Sequence, residues 1–336
     1  MVSYSGELIG EHESIARLRA LVDRVAASPT RTVLLYGETG TGKGLVARML
    51  HDRSTRAKRG FVDVNCAAIP KELLESELFG HERGAFTGAL TAKVGLVEEA
   101  NGGTIFLDEI REMDLTMQAK LLSVLDTQRL RRVGAVRHIE VDARFIATTN
   151  KILLAEVAHG RFREDLYYRL QVVAINLPAL RERGDDVLVL AGHFLRKYSS
   201  RYGRVIDSWE DAITDVFRTY SWPGNVRELE NLIERIFVLE TDRRILVRHL
   251  PDRIMRELRT GRSPLAKDDG AFSFDGPTDY REATRAFQRR LIEGALSAAG
   301  GNLAKAATAL GLTRHALRHQ MLKAGLVQPN APGDDA

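Results

Sequence analysis

Two runs in this sequence hold the residue types needed to cut a phosphoanhydride. In the first, Gly37-Glu38-Thr39-Gly40-Thr41-Gly42-Lys43, the glycines let the backbone curl so that successive N–H groups point inward at phosphate oxygens. Lys43 can then reach the outer phosphates of a nucleoside triphosphate. The run follows the apolar stretch TVLLY and opens a helix-patterned stretch from Gly42 to Arg53, so a helix N-terminus adds its dipole at the same place. A plain turn is the alternative, and the strand-loop-helix context speaks against it.

The second run is Gly102-Gly103-Thr104-Ile105-Phe106-Leu107-Asp108-Glu109, an apolar strand ending in two carboxylates. A phosphate loop of this kind ordinarily continues with Ser or Thr, whose hydroxyl holds magnesium, but Gly44 follows Lys43 here. Magnesium must therefore rely on other groups. Asp108 can bind it through water, and Glu109 can orient and deprotonate the attacking water. Asn65, closing FVDVN, and Asn150, closing FIATTN, stand at strand ends where they can sense a terminal phosphate. Each can equally cap a turn or a helix.

These residues need a frame. From Thr32 to Asn176 the β-rich runs TVLLY, FVDVN, GTIFLD, RFIATT and VVAIN alternate with helix-patterned stretches such as Met117 to Leu125. That alternation predicts an α/β fold, a parallel sheet with helices on both faces. After Pro178 the strands are expected to stop. Val187 to Ser199, Glu210 to Tyr220 and Val226 to Leu239 read as amphipathic helices of a small helical unit. A polar stretch rich in Gly, Pro, Asp and Ser then argues for a linker, and a last helical group runs from Tyr280 to Leu326. The expected divisions are 1–178, 179–258, 259–279 and 280–336.

With 336 residues and 44% hydrophobic content, each unit can bury its own core. One cysteine, Cys66, excludes an internal disulfide framework and a Cys-based zinc cluster, and reads as a buried core residue. No stretch reaches the roughly 18 to 20 apolar residues of a membrane helix, and the start lacks the order of a signal peptide, so the expected location is the cytoplasm. Net charge is only +4, but from Tyr280 to Val327 eight Lys or Arg face two glutamates, Glu282 and Glu293. Such a unit fits a phosphate backbone as partner, or a solvated helical surface.

Glu77-Leu78-Phe79-Gly80-His81-Glu82, followed by Gly84-Ala85-Phe86-Thr87-Gly88-Ala89, resembles the bacterial enhancer-binding proteins, AAA+ activators of the sigma-54 form of RNA polymerase. The second of these runs is that family's GAFTGA loop. Physically it sets one apolar ring among small residues and glycines, as a mobile tip offering an aromatic anchor would. A buried Phe in a tight turn is the plainer reading of the residues alone. The resemblance covers about Leu8 to Arg253 and resumes in the C-terminal helices. It implies AAA+ architecture, a helical lid, ATP with Mg2+, and a ring of six subunits. It also implies that Lys43, Asp108 and Glu109 handle ATP and magnesium, that Asn65 is the switch partner of Glu109, and that Thr149 with Asn150 forms a first sensor. Arg163 and Arg169, in Phe162-Arg163-Glu164-Asp165-Leu166-Tyr167-Tyr168-Arg169-Leu170, match arginine fingers that act on a neighbouring subunit's ATP. Their plainer reading is pairing with Glu164 and Asp165. Trp222-Pro223-Gly224-Asn225-Val226-Arg227-Glu228-Leu229 matches the second-sensor motif, with Arg227 reaching from the lid toward the phosphates.

At the C-terminal end, Leu303 to Thr313 reads as helix, glycine turn and helix start, with Thr313 a suitable N-cap. Ala306, Ala307, Gly311, Leu317 and Met321 fit a helix-turn-helix. Arg314, His315, Arg318 and His319 would lie on or near its exposed face, where arginine can read guanine edges, while Lys305 or Lys323 more naturally touches phosphate. The unit is similar to the Fis-type domain of the same activators, which implies dimers on double-stranded enhancer DNA. A three-helix bundle without a DNA role is the alternative.

There are departures from the family pattern. Gly44 stands where the family usually has Glu, and glycine in a first helical turn costs about 0.5 to 1 kcal/mol relative to alanine, so altered ATP affinity or turnover is expected. Only eight residues precede Ile9-Gly10, so the receiver or sensory domain of most members is expected to be absent, as in the phage-shock type of activator that the chain resembles. Control would then come from a separate regulatory protein acting in trans, from expression level, or not at all. Two rival readings remain. One is another AAA+ motor of helicase or chelatase type, marked by DNA unwinding without sigma factor; the other is a nucleotide-switched repressor, marked by binding without phosphate release.

Overall fold

The computed structural model describes residues 6–150 and 153–260, together with 292, 293, 295, 296, 299, 300, 302–309, 312, 317, 321 and 326. The chain divides into two compact units, Met1–Leu265 and Ala266–Ala336.

The first unit opens with α1 (Glu13–Ala27), β1 (Thr32–Tyr36), α2 (Lys43–Asp52), β2 (Phe61–Asn65), α3 (Lys71–Phe79), α4 (Leu96–Glu99) and β3 (Thr104–Asp108). It continues with α5 (Leu115–Thr127), β4 (Arg129–Leu130), β5 (Ile139–Glu140), β6 (Arg144–Thr149), α6 (Leu153–Ala158), α7 (Glu164–Leu170) and β7 (Ala174–Asn176). Five of these strands form one parallel sheet in the order β2-β3-β6-β1-β7, as the alternation predicts. Side chains alternate across a strand, so a sheet covered on both faces needs apolar residues at every position. Leu34, Ile105, Leu107, Phe145 and Ala147 pack to one side with Met117, Leu121 and Leu166. Val33, Leu35, Phe106 and Ile146 pack to the other, against α1 and α2. The small pair β4 and β5 is antiparallel.

The parallel arrangement brings the carboxyl ends of β1, β2, β3 and β6 to one edge, where open α/β sheets bind their ligands. On that edge lie the loop after β1, Asn65, Asp108 with Glu109, and Thr149 with Asn150.

Beyond β7 come α8 (Asp186–Tyr202), β8 (Ser208–Trp209), α9 (Asp211–Thr219), α10 (Asn225–Leu239), β9 (Arg244–Ile245) and α11 (Asp252–Thr260). Leu190, Phe194, Ile213, Phe217, Trp222, Leu229, Ile233 and Ile254 are among the residues of its core. The expectation that strands stop after Pro178 needs correction, because β8 and β9 pair in parallel. Two-residue strands are too short to show a period of two. Among the described residues no helix is long and apolar enough to cross a membrane.

In the second unit, the helix Leu303–Ala309 carries Asn302 ahead of it, whose Oδ1 accepts the Lys305 amide at 3.1 Å. Ile292, Ala306, Ala307, Leu317 and Met321 are buried together, so the small and apolar positions of the expected helix-turn-helix form its core. Lys305 is exposed. Thr313, Arg314, His315, Arg318, His319 and Lys323 lie outside the described residues.

Candidate active site

The loop Gly37–Lys43 joins β1 to α2, and Gly42 stands as the helix N-cap with φ 103°, a left-handed backbone that glycine adopts without cost. The Lys43 Nζ donates to the carbonyls of Gly37 (2.7 Å) and Glu38 (3.2 Å). Lys43 is buried, and burial pulls its pKa down, with Glu109 and Asp108 opposing that pull. The Thr41 hydroxyl donates back to the Glu38 carbonyl at 2.8 Å. This loop lines a cavity of about 590 Å³ together with Asp108, Glu109 and the lid-side residues Arg183, Phe194 and Arg227. Gly44 also lines it, as the second residue of α2.

The two carboxylates are organised by a residue that sequence reasoning missed. The Thr148 hydroxyl donates to Asp108 Oδ1 and accepts the Glu109 amide at 3.1 Å. Glu109 has φ 54° and ψ 54°, a left-handed conformation that costs a non-glycine residue roughly 1–2 kcal/mol. Strain of this sort persists where the surroundings over-determine it. Burial raises the pKa of Glu109, with Lys43 acting against the rise and Asp108 adding to it. Its Oε2 is buried without a hydrogen-bond partner, as is the Oδ1 of Asn150. A buried carboxylate oxygen with no hydrogen bond, in the same cavity as a buried ammonium, marks a place shaped for a ligand rather than for packing.

Glu38 behaves differently from its loop neighbours. Its carboxylate accepts from Arg181 and Asn225, and the Arg181 hydrogen bond holds its pKa below the usual carboxylate range. Thus Glu38, expected in the phosphate cradle, engages the lid. Arg181 and Arg183 are lid-side residues that the sequence did not single out, and Asn225 stood in the second-sensor motif without a role of its own.

The remaining candidates fall as follows. Asn65 aligns with Asp108 across the sheet, and its Oδ1 accepts the Ala67 amide at 3.0 Å, the turn-capping alternative. Thr149 is buried at the end of β6, with its carbonyl facing the Gly37 amide at 3.4 Å. Arg163 is half-buried and pairs with Asp165 at 2.6 Å, its plainer reading within a single chain. Arg169 pairs with Asp126 at 2.9 Å and donates to the Leu125 carbonyl. The Arg227 side chain is exposed at the cavity, and its amide donates to the Gly40 carbonyl at 3.3 Å.

Gly84–Ala89 forms a closed turn, with Gly84 N–H donating to the Ala89 carbonyl at 2.8 Å and Ala89 N–H to the Phe86 carbonyl at 3.0 Å. Phe86 is 43% exposed and leans its ring on His81 at 5.0 Å, so it is neither buried nor free-standing. Thr87 is exposed at the turn. The segment preceding β5 supports the turn: Glu82 N–H donates to the Val133 carbonyl at 3.0 Å, and Arg132 pairs with both Glu82 and Glu98.

Comparison with known proteins agrees with this arrangement. Residues 8–176 match the Sigma-54 interaction domain, residues 181–266 the AAA+ ATPase lid domain, and residues 284–323 the Fis family of bacterial regulatory proteins. The chain is similar to the nitrogen fixation protein VnfA of Azotobacter vinelandii, 46% identical over 320 residues, covering 95% of this chain and 59% of VnfA. It is 45% identical to the regulatory protein AtoC of Escherichia coli over 296 residues, 88% of this chain and 63% of AtoC. It is 40% identical to the response regulator protein PilR of Pseudomonas aeruginosa over 319 residues, 95% of this chain and 70% of PilR. The chain thus spans about three fifths of the length of VnfA and AtoC. A crystal structure of NtrX from Brucella abortus in complex with ADP superposes with a TM-score of 0.70 at 34% identity, covering 95% of this chain and 70% of NtrX. With the phosphate loop, the GAFTGA turn, the lid and the Fis-type end in one chain, and the first matched domain spanning residues 8–176, the protein belongs to the sigma-54 interaction domain family of AAA+ proteins.

Proposed function

We propose that this chain is an ATPase that activates sigma-54-dependent transcription. It binds enhancer DNA through its C-terminal unit, assembles into a hexameric ring, and uses hydrolysis to move its GAFTGA turn against the sigma-54 polymerase. The observation that carries the reading is the Lys43 ammonium, held by loop carbonyls, facing a carboxylate pair that Thr148 fixes in place. Structures of the similar NtrX in complex with ADP and with ATP support a nucleotide in this cavity.

In this reading Lys43 and the loop amides bind the phosphates of ATP, and Arg227 approaches them from the lid. Glu109, deprotonated, takes a proton from the attacking water through its Oε2, which makes no hydrogen bond and has the Arg111 guanidinium 3.9 Å away. The water oxygen forms a bond to the γ-phosphorus as the bond to the bridging oxygen breaks, leaving ADP and phosphate. Asp108, a carboxylate at the cavity oriented by Thr148, would hold a magnesium ion through water, and that ion would supply positive charge for the outer phosphates. Arg163 at the N-cap of α7 and Arg169 in its last turn keep part of their side chains at the surface in ion pairs, and in this reading each turns to a neighbouring subunit, where it stabilises the charge on the transferring group. Asn65 and Asn150 report the presence of that group, and hydrolysis is transmitted to Phe86 and Thr87.

Mixing provides the test. Chains carrying Glu109→Gln or Arg163→Ala are each expected to release phosphate at well under a tenth of the wild-type rate. Mixed together, they regain hydrolysis, because an intact base then meets an intact finger from the neighbour. Failure of the mixture to recover would remove the shared site.

A further inference from the structure

The lid meets the phosphate loop along a row of carbonyls. The Thr39 carbonyl accepts from Asn225 Nδ2 at 3.0 Å, that of Gly40 from the Arg227 amide at 3.3 Å, and that of Thr41 from Arg183 Nη2 at 3.1 Å. Three successive loop carbonyls thus end on lid-side donors. A peptide unit is planar, with its C=O and N–H opposed, so carbonyls 39 and 41 turned toward the lid leave the amides of Gly40 and Gly42 on the opposite side of the loop. Any ligand that rotates those amides rotates the carbonyls that the lid holds.

Glu38 closes this row. Arg181 grips its carboxylate through both terminal nitrogens, at 2.8 and 2.5 Å, and Asn225 Nδ2 adds a bond at 3.1 Å. Asn225 is fully buried, has φ 51°, and accepts the Leu180 amide at its Oδ1 at 2.8 Å. One amide group therefore ties the loop, the entry to the lid and the start of α10 together. The fit is close, because a Cβ placed on Gly40 would lie 2.1 Å from the Gly224 carbonyl oxygen.

We infer that Glu38, Arg181 and Asn225 form a positioning clamp that holds the lid to the outer side of the phosphate loop. The inference rests on the proposed nucleotide reading of the cavity. Arg181 has a second role within the clamp, since an unneutralised carboxylate beside a loop that binds phosphates would repel them.

The test uses the full chain with Arg181→Ala, Arg181→Lys, Glu38→Gln and the double variant Glu38→Gln with Arg181→Ala. Arg181 is half-exposed, so these chains are expected to fold, which circular dichroism checks. In nucleotide-free protein, amide exchange in the segments 37–42 and 222–228 accelerates together in Arg181→Ala. With ATP, Arg181→Ala raises KM and lowers kcat by about tenfold each, a coupling of ordinary allosteric size. The double variant recovers KM, having lost the repelling charge, but not kcat, and Arg181→Lys retains most of both. Unchanged exchange in the two segments, with kcat and KM within about twofold of wild type for Arg181→Ala and Glu38→Gln, overturns the clamp. A wild-type chain that binds no nucleotide refutes the active-site reading, while acceleration of exchange by Arg181→Ala still upholds the contact.

Discussion

The Thr148 hydroxyl donates to the Asp108 carboxylate while accepting the Glu109 amide, so one side chain on β6 fixes two consecutive acids at the end of β3. Thr148→Val keeps the shape and the β-branched packing but removes both bonds. We predict that ATP affinity stays near wild type while kcat falls about tenfold or more, the usual cost of losing an orienting partner. Equilibrium nucleotide binding measured beside phosphate release separates the two; a loss of binding with unchanged kcat would contradict the assignment.

A pH profile checks the base. Burial raises the pKa of Glu109 against the pull of Lys43, and the residue serves as a base only when deprotonated. The acid limb of kcat is therefore expected above the ordinary glutamate value of 4.5. For stability the same shift has the opposite consequence. The folded chain binds this proton more tightly than the unfolded chain, so the contribution of Glu109 favours folding below its unfolded pKa and is lost as pH rises through the folded one. Glu109→Gln should consequently raise Tm at neutral pH, with a gain that shrinks on acidification. An acid limb at ordinary carboxylate values would count against Glu109 as the base.

Lid integrity depends on Trp222, which is 1% exposed and whose indole Nε1 donates to the Phe217 carbonyl at 2.8 Å. Its ring packs on Phe217 and Tyr220 at centroid distances of 5.6 and 5.1 Å. Trp222→Ala is predicted to destabilise the chain by about 3–5 kcal/mol. Calorimetry should show a lower Tm, and nucleotide affinity should fall as well, because Gly224 then loses its seat against Gly40. A Tm within a degree or two of wild type would mean that the lid core does not depend on this ring.

Much of this was legible in the residues. The three inner strands of the main sheet stand out because strands buried on both faces are written as largely apolar runs, and Lys43, Asp108 and Glu109 follow from where those runs end, while the edge strands FVDVN and AIN are only partly buried. Thr148 was not legible, since a threonine inside RFIATT reads as ordinary β-branched strand filler; only its register beside β3 gives it a function. The partners of Glu38 were hidden for a different reason. Arg181 and Asn225 lie 143 and 187 residues away, and nothing local in GETGTGK says which way the glutamate turns. The pair β8 and β9 was missed because two residues carry no period.

In the proposed function, hydrolysis in this cavity drives the GAFTGA turn against the sigma-54 polymerase. This coupling is tested most directly by ATP-dependent open-complex formation on a supercoiled sigma-54 promoter carrying the chain's DNA site, with phosphate release recorded alongside. Wild type is expected to open the promoter, Glu109→Ala to lose both hydrolysis and opening, and Thr87→Ala to hydrolyse ATP without opening. Wild-type hydrolysis that never opens a sigma-54 promoter, or a Thr87→Ala chain that opens it as well as wild type, would contradict the account.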